Sequence, residues 1–291
     1  MRLPKNILAP TDFSPLSQIA VEAAFALARR SDGHVHLVHV LTPMPSYQLA
    51  LSGVHLAEIV EEERRAAASK LEAMAPRGAP FTCSTLYGFP SRELALAIES
   101  TKSDLVVIAT HAHGVIRRAL LGSVASALVR TSKVPVLVVG DARRSVEFRS
   151  VVAGVDLSPA TRDVVELARS FVHPDGQVEI VSVVETAMLA AAGVTSPVLR
   201  AELDRLIDAR KGAIREIVPH DAGPLTHVEV IERATGAAQG LLDVAAEHNA
   251  DLIVVGTSGH NFWQRAMLGS TANRVLSNAT CPVLVVPHAG V

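Results

Sequence analysis

The sequence predicts an α/β protein in which parallel strands are wrapped by helices, and it predicts that arrangement twice. Short runs of apolar residues without polar alternation, such as 105-LVVIA-109 and 252-LIVVG-256, are the mark of strands buried on both faces. Helix-length stretches lie between these runs, and strict alternation of the two implies a parallel sheet covered by helices. The third observation is self-similarity. Residues 104-DLVVIATHAHG-114, 122-GSVASALVR-130 and 134-VPVLVVG-140 return as 251-DLIVVGTSGHN-261, 269-GSTANRVLS-277 and 281-CPVLVVP-287, each shifted by 147 positions. Near the start, 9-APTDFSP-15 returns as 153-AGVDLSP-159 with a shift of 144. A unit of this length is too long for a solenoid repeat and right for a domain, so the chain is a tandem duplication.

In the first copy the elements run in order: a strand at 6–10, a helix from about Pro15 to Arg30, a strand at 34–41, and a charged helix around 56–75. A strand near 81–87, a helix at 91–101, the strand LVVIA, a helix after Gly122 and the strand PVLVV complete it. The second copy repeats the order, with strands near 150–155, 178–184, 226–232, 252–256 and 282–286. The expected domains are residues 1–141 and 149–291, joined by the polar stretch 140-GDARRSVEF-148.

Composition narrows the function. The 291 residues are 49% hydrophobic, 19% charged and 3% aromatic, with a formal net charge of −2. That is a globular composition without the basic footprint of a nucleic-acid or acidic-membrane binder. Cys83 and Cys281 are the only cysteines; two in so long a chain make no disulfide framework and read as small core residues in a reducing compartment. The opening MRLPKNILAP is broken by proline. No apolar run approaches the roughly 18 residues of a membrane helix. The expected location is the cytoplasm, with no membrane partner.

Ligands of open α/β sheets bind beyond the C-terminal ends of the strands, where strand order reverses. Two features fall there in both copies. Asp12 and Asp156 follow the first strand, each before a Ser-Pro that opens a helix. The plain structural reading is an N-cap, worth about 1 kcal/mol. The second feature is the spacing Gly256-x2-Gly259-x9-Gly269-Ser270. Glycines permit close backbone approach or positive φ, and Gly269-Ser270 opens a helix whose free N–H groups suit an anion.

This spacing, with Asp156 and the closing PVLVV, resembles the universal stress protein family in its tandem form, over nearly the whole chain. The resemblance implies two Rossmann-like (adenine nucleotide α-hydrolase-like) domains, each a five-stranded parallel sheet of order 3-2-1-4-5 flanked by helices. It also implies an adenine nucleotide, ATP or a relative, with magnesium or manganese between phosphates. Asp156 would hold the ribose, the Val183 backbone would meet adenine, Gly256 and Gly259 would line the nucleotide, and Gly269, Ser270 and Thr271 would meet phosphates. The first copy keeps Asp12, Val40, Gly122 and Ser123 but has Ala109 and Ala112 for the first two glycines. If those sites need positive φ, each alanine costs about 1–2 kcal/mol; if they need close approach, a methyl group intrudes. Copy two is therefore the expected binding domain.

Other chemistries fit less well. GTSG lacks the G-x-S-x-G spacing of a hydrolase elbow, and no Gly-Lys-Ser/Thr follows a glycine loop. His34, His36, His39, His111 and His113 have no Cys or acidic partner at ligand spacing, so zinc is not expected. Arg265 reads as a solvated loop arginine and EEERR as a solvated helix face with i,i+3 and i,i+4 pairs. The apolar connections 43–56 and 186–199 suit a lid, a contact between chains, or packing on neighbouring helices. The preferred function is regulatory nucleotide binding, with a homodimer and an unknown regulatory protein as partners. The rivals are a slow ATP hydrolase, for which no general base is evident, and a nucleotide-independent scaffold. In the family, single-domain members pair through the last strand, and PVLVV suits that contact.

Overall fold

The computed structural model describes residues 3–43, 56–110, 121–140, 146–187, 196–219, 223–257 and 268–287. The chain divides into two compact units, the first carried by Pro4–His111 and Gly122–Asp141, the second by Ala142–Val291. In the first, the elements are β1 (Asn6–Pro10), α1 (Pro15–Ser31), β2 (His34–Leu41), α2 (Leu56–Met74) and β3 (Phe81–Tyr87), then α3 (Pro90–Ser100), β4 (Leu105–Ala109), α4 (Ser123–Thr131) and β5 (Val136–Val139). The second holds β6 (Phe148–Gly154), α5 (Thr161–Phe171), β7 (Val172–Glu185), α6 (Pro197–Ile217) and β8 (Leu225–Arg233), then α7 (Ala237–Glu247), β9 (Leu252–Gly256), α8 (Ser270–Asn278) and β10 (Val283–Val286).

The strands lie in the order β3-β2-β1-β4-β5 in one unit and β8-β7-β6-β9-β10 in the other, all parallel. The central strands are buried along their length, as their unbroken apolar runs require, whereas β3 and β8 alternate in exposure. Phe25, Ile7 and Leu37 fill the first core; Phe148 and Phe171 stack at 6.3 Å in the second. In both units one aspartate ties the N-terminal ends of the central strands together. Asp104 accepts from the backbone N–H groups of Lys5 and Asn6, both at 2.9 Å, one through each oxygen. Asp251 accepts from those of Arg149 (3.0 Å) and Ser150 (3.2 Å) through a single oxygen.

Four details depart from the sequence expectations. Phe148, expected in the linker, is the first residue of β6 and fully buried. β7 begins at Val172 rather than 178, because α5 runs straight into it and Phe148 pairs with Val172. The helix expected to open at Ser158-Pro159 opens at Thr161, whose N–H donates to the Ser158 carbonyl at 2.9 Å in an extra turn. Cys83 and Cys281 are half-buried and outside any disulfide rather than core residues; burial and the nearby Glu72 push the Cys83 thiol pKa up. Glu61 pairs with Arg64 (3.8 Å) and Arg65 (3.2 Å) on an exposed helix face, as expected.

Candidate functional site

Each unit has a cavity at the C-terminal ends of its central strands, where β1 and β4, or β6 and β9, send their connections to opposite sides. In the second unit it measures about 280 Å³, and Asp156, Val183, Gly256, Gly269, Ser270 and Thr271 all line it. Gly259 and Arg265 lie outside the described residues. In the first unit a cavity of about 230 Å³ is lined by Asp12, Val40, Ala109, Gly122 and Ser123. Ala112, His111 and His113 lie outside the described residues, as does most of each apolar connection, 44–55 and 188–195.

The turn after the first strand is the same in both units. Asp12 Oδ1 accepts from the Ser14 N–H and Asp156 Oδ1 from the Ser158 N–H, each at 3.0 Å. The intervening residue is left-handed in both, Phe13 at φ 64° and Leu157 at φ 62°. That conformation is strained for a bulky side chain, and it recurs beside the expected ligand carboxylate, which is where strain tends to be kept. The cap itself is not the aspartate. Ser14 caps α1 by accepting from the Ser17 N–H. Burial would raise the Asp12 pKa, but hydrogen bonds from Ser14 and Ser17 outweigh it and hold the carboxyl below its ordinary value.

The described motif glycines do not use positive φ. Gly256 ends strand β9 and is absent from the positive-φ glycines of the described residues; Gly269 has φ −58° and Gly122 φ −59°. The positive-φ alternative therefore falls at Gly256, and what Ala109 changes at the matching place is the added methyl group. The Gly269 N–H donates to the Thr257 carbonyl at 2.6 Å. The donors α8 still offers an anion are those of its first turn, at Ser270 and Thr271.

Arg210 of α6 donates to the carbonyl of Val183, a lining residue of the second cavity, at 3.3 Å and to the Ser182 hydroxyl at 3.4 Å, but is not itself on the lining. No local pattern in the sequence marks this cation, because it lies on another element, far along the chain from the glycine spacing. The Val183 carbonyl has a second lone pair for a ligand. In the first unit the corresponding edge is aromatic. His39 Nδ1 donates to the Thr11 carbonyl at 2.7 Å, the Phe13 ring stands 4.4 Å from the His39 ring, and Lys70 Nζ lies 5.3 Å over Phe13. Of the other candidate histidines, His34 and His36 share the Thr82 hydroxyl at 3.3 and 2.7 Å.

Two doubly wound α/β units, each bringing a carboxylate and a helix N-terminus to its strand ends, define the class of fold. The sequence profile of the universal stress protein family matches residues 4–140 and again 147–287, and the chain belongs to that family. It is 29% identical to a universal stress protein of Mycolicibacterium smegmatis, over 97% of this chain and 96% of that one. A universal stress protein of Archaeoglobus fulgidus has the same fold, with a TM-score of 0.67 at 22% identity over 98% of both chains. A universal stress protein solved in complex with cAMP is 24% identical over 47% of this chain and 97% of its own, with a TM-score of 0.35. Among the described residues no helix is long and apolar enough to cross a membrane.

Proposed function

We propose that this universal stress protein binds an adenine nucleotide, chiefly in the second unit, as a regulatory or sensing module of the cytoplasm. The observation that carries this reading is one cavity bordered by the Asp156 carboxylate, the Gly256 strand end and the N-terminus of α8 at Gly269-Ser270. A carboxylate accepts from ribose hydroxyls, and the first turn of a helix receives phosphates through N–H groups and dipole. The apolar side chains of Leu241, Val164 and Val181 on the lining suit the two faces of a base. A magnesium or manganese ion fits this set as a companion of the phosphates: Asp156, the one carboxylate on the described lining, is occupied by the sugar, so phosphate oxygens and water would hold the ion. In the first unit the Ala109 methyl and the His39–Phe13 edge support weaker or different binding. The two units act as separate domains, 1–141 and 149–291, and the whole chain works as a dimer with a regulatory protein partner.

The test is the small-molecule content of freshly purified protein, released by denaturation and read by mass spectrometry, for wild type and Gly269→Glu. ATP, ADP or AMP in wild type and none in the variant is the expected result. The variant's carboxylate sits where phosphates would, and the expected loss in ATP titration is at least about a hundredfold, the size of about 2.7 kcal/mol. Equal nucleotide content in both would overturn the assignment of the phosphate end.

A further inference from the structure

The wall of the second cavity contains a polar group with no partner. Thr161, the first residue of α5, lines the cavity and is 2% exposed. Its Oγ1 is buried and makes no hydrogen bond. A buried hydroxyl left in this state costs about 1–3 kcal/mol, so native proteins rarely keep one without a use.

The first unit shows how the same position is satisfied when nothing further is asked of it. Ser17 matches Thr161 in the duplication. Its hydroxyl donates to the Ser14 carbonyl at 2.9 Å and shares a 2.9 Å hydrogen bond with the Thr11 hydroxyl, which also accepts from the Phe13 N–H. Thr11 is replaced by Val155 in the second unit. That substitution removes one of the two internal partners, and the carbonyl matching the other, that of Ser158, accepts from the Thr161 N–H instead; both changes fall in the unit that keeps the intact glycine spacing.

We infer that the Thr161 hydroxyl is a ligand contact of the second cavity, hydrogen-bonding the nucleoside part of a bound nucleotide rather than its phosphates. This rests on the nucleotide reading of the same cavity. The assignment to the nucleoside follows from position. Helix α5 packs over β6, β7 and β9, and α7 and α8 pack on each other; right-handed crossovers that leave β6 in opposite directions along the sheet put α5 on one face and α7 and α8 on the other. Thr161 therefore enters the cavity from the wall opposite the phosphate-receiving turn at Ser270. Its neighbours on that wall are Val155, Asp156 and Val164, apolar surface and a carboxylate, the surroundings of a base and sugar. A hydroxyl both donates and accepts, so it serves a ring nitrogen or a ribose hydroxyl alike. Oγ1 itself has no solvent contact, so the contact requires a turn of about 120° about χ1 to another staggered position.

The test uses the full chain and three probes, ATP, adenosine and inorganic tripolyphosphate, titrated into wild type, Thr161→Val, Thr161→Ser and Val155→Thr. Thr161→Val is expected to weaken ATP and adenosine equally, about five- to tenfold, to leave tripolyphosphate unchanged, and to leave the ligand-free melting temperature equal or higher. Thr161→Ser restores ATP binding. Val155→Thr, which returns the internal partner, raises the ligand-free melting temperature and weakens ATP. If Thr161→Val binds ATP like wild type while Gly269→Glu does not, this inference falls and the nucleotide reading stands. If Thr161→Val weakens tripolyphosphate as much as ATP, the assignment to the nucleoside is wrong. If wild type takes up neither ATP nor adenosine, the nucleotide reading falls and takes this contact with it.

Discussion

The two cavities share a backbone and differ in the side chains that face inward. Both keep the aspartate turn and its left-handed bulky residue. Around that frame the first unit has closed its polar groups on one another: Thr11 with Ser17, His39 with the Thr11 carbonyl, Phe13 with His39. The second has left them open, with Thr161 unpartnered and Gly256 in place of Ala109. An internally satisfied pocket gains little from a ligand's hydrogen bonds, whereas an unsatisfied one recovers a cost already present in the empty state. On the proposed function, the contrast means that retained motif residues do not by themselves make a retained site.

The strongest way to break this comparison is to remove each aspartate in turn. Asp156→Ala is expected to weaken ATP binding about tenfold or more, the loss of a hydrogen bond to a charged group, while Asp12→Ala leaves the isotherm of the chain unchanged. Isothermal calorimetry decides it, and a larger loss from Asp12→Ala would reverse the ranking of the two units.

The next effect concerns stability at the other end of the sheets. Asp104 uses both oxygens on two backbone N–H groups, so Asp104→Asn leaves only one acceptor and is expected to cost about 1 kcal/mol in urea unfolding. Asp251 serves its two N–H groups through one oxygen, and Asp251→Asn should cost distinctly less. Equal costs would mean that charge, not acceptor count, holds the strands.

A smaller difference separates the strained residues, and it has opposite signs. Leu157→Gly relieves a left-handed conformation and is expected to be neutral or to stabilise by up to about 1 kcal/mol. Phe13→Gly relieves the same strain but loses the ring beside His39 and Lys70, and is expected to destabilise. Thermal unfolding of both variants gives the two signs directly.

The smallest effect is a pH dependence confined to the first unit. Burial and the neighbouring His34 hold His36 below the ordinary imidazole pKa. The unfolded chain then takes up a proton at this position before the folded chain does. Stability from this source is unaffected at alkaline pH and is lost as pH falls through the ordinary imidazole range. Glu179 stands at the matching place in the second unit. Urea midpoints at about pH 8 and pH 5 should differ less for His36→Asn than for wild type; the same slope in both would remove His36 from the account.

Much of the fold was legible because it depends on local pattern. The runs LVVIA and LIVVG are buried strands, and the helices open where Pro15, Gly122 and Gly269 suggested. The errors have physical sources. Ser158-Pro159 repeats the first unit's Ser-Pro, yet α5 starts two residues later: Ser14's hydroxyl takes the Ser17 N–H, whereas the Thr161 N–H goes to the Ser158 carbonyl. Phe148 sits in a polar stretch, and only its pairing with Val172 and its stack on Phe171 make it core. Of the expected site, the strand-end and helix-start residues gather at the cavity because each is fixed by an element boundary. Arg210 and Thr161 were missed because their importance depends on what they meet across the fold. Reading Thr11 against Val155 and Ser17 against Thr161 in the two copies was the signal that could have found the latter.

The aspartate clamp at the foot of each sheet has a consequence for how such a chain changes over time. Asp104 and Asp251 fasten the strands at the end remote from the cavities, and the clamp is present in both copies whatever the cavity above it has become. Folding is thereby uncoupled from ligand specificity. One half of a duplicated chain can drift through substitutions at its pocket, losing one ligand and trying others, without becoming a burden on its twin.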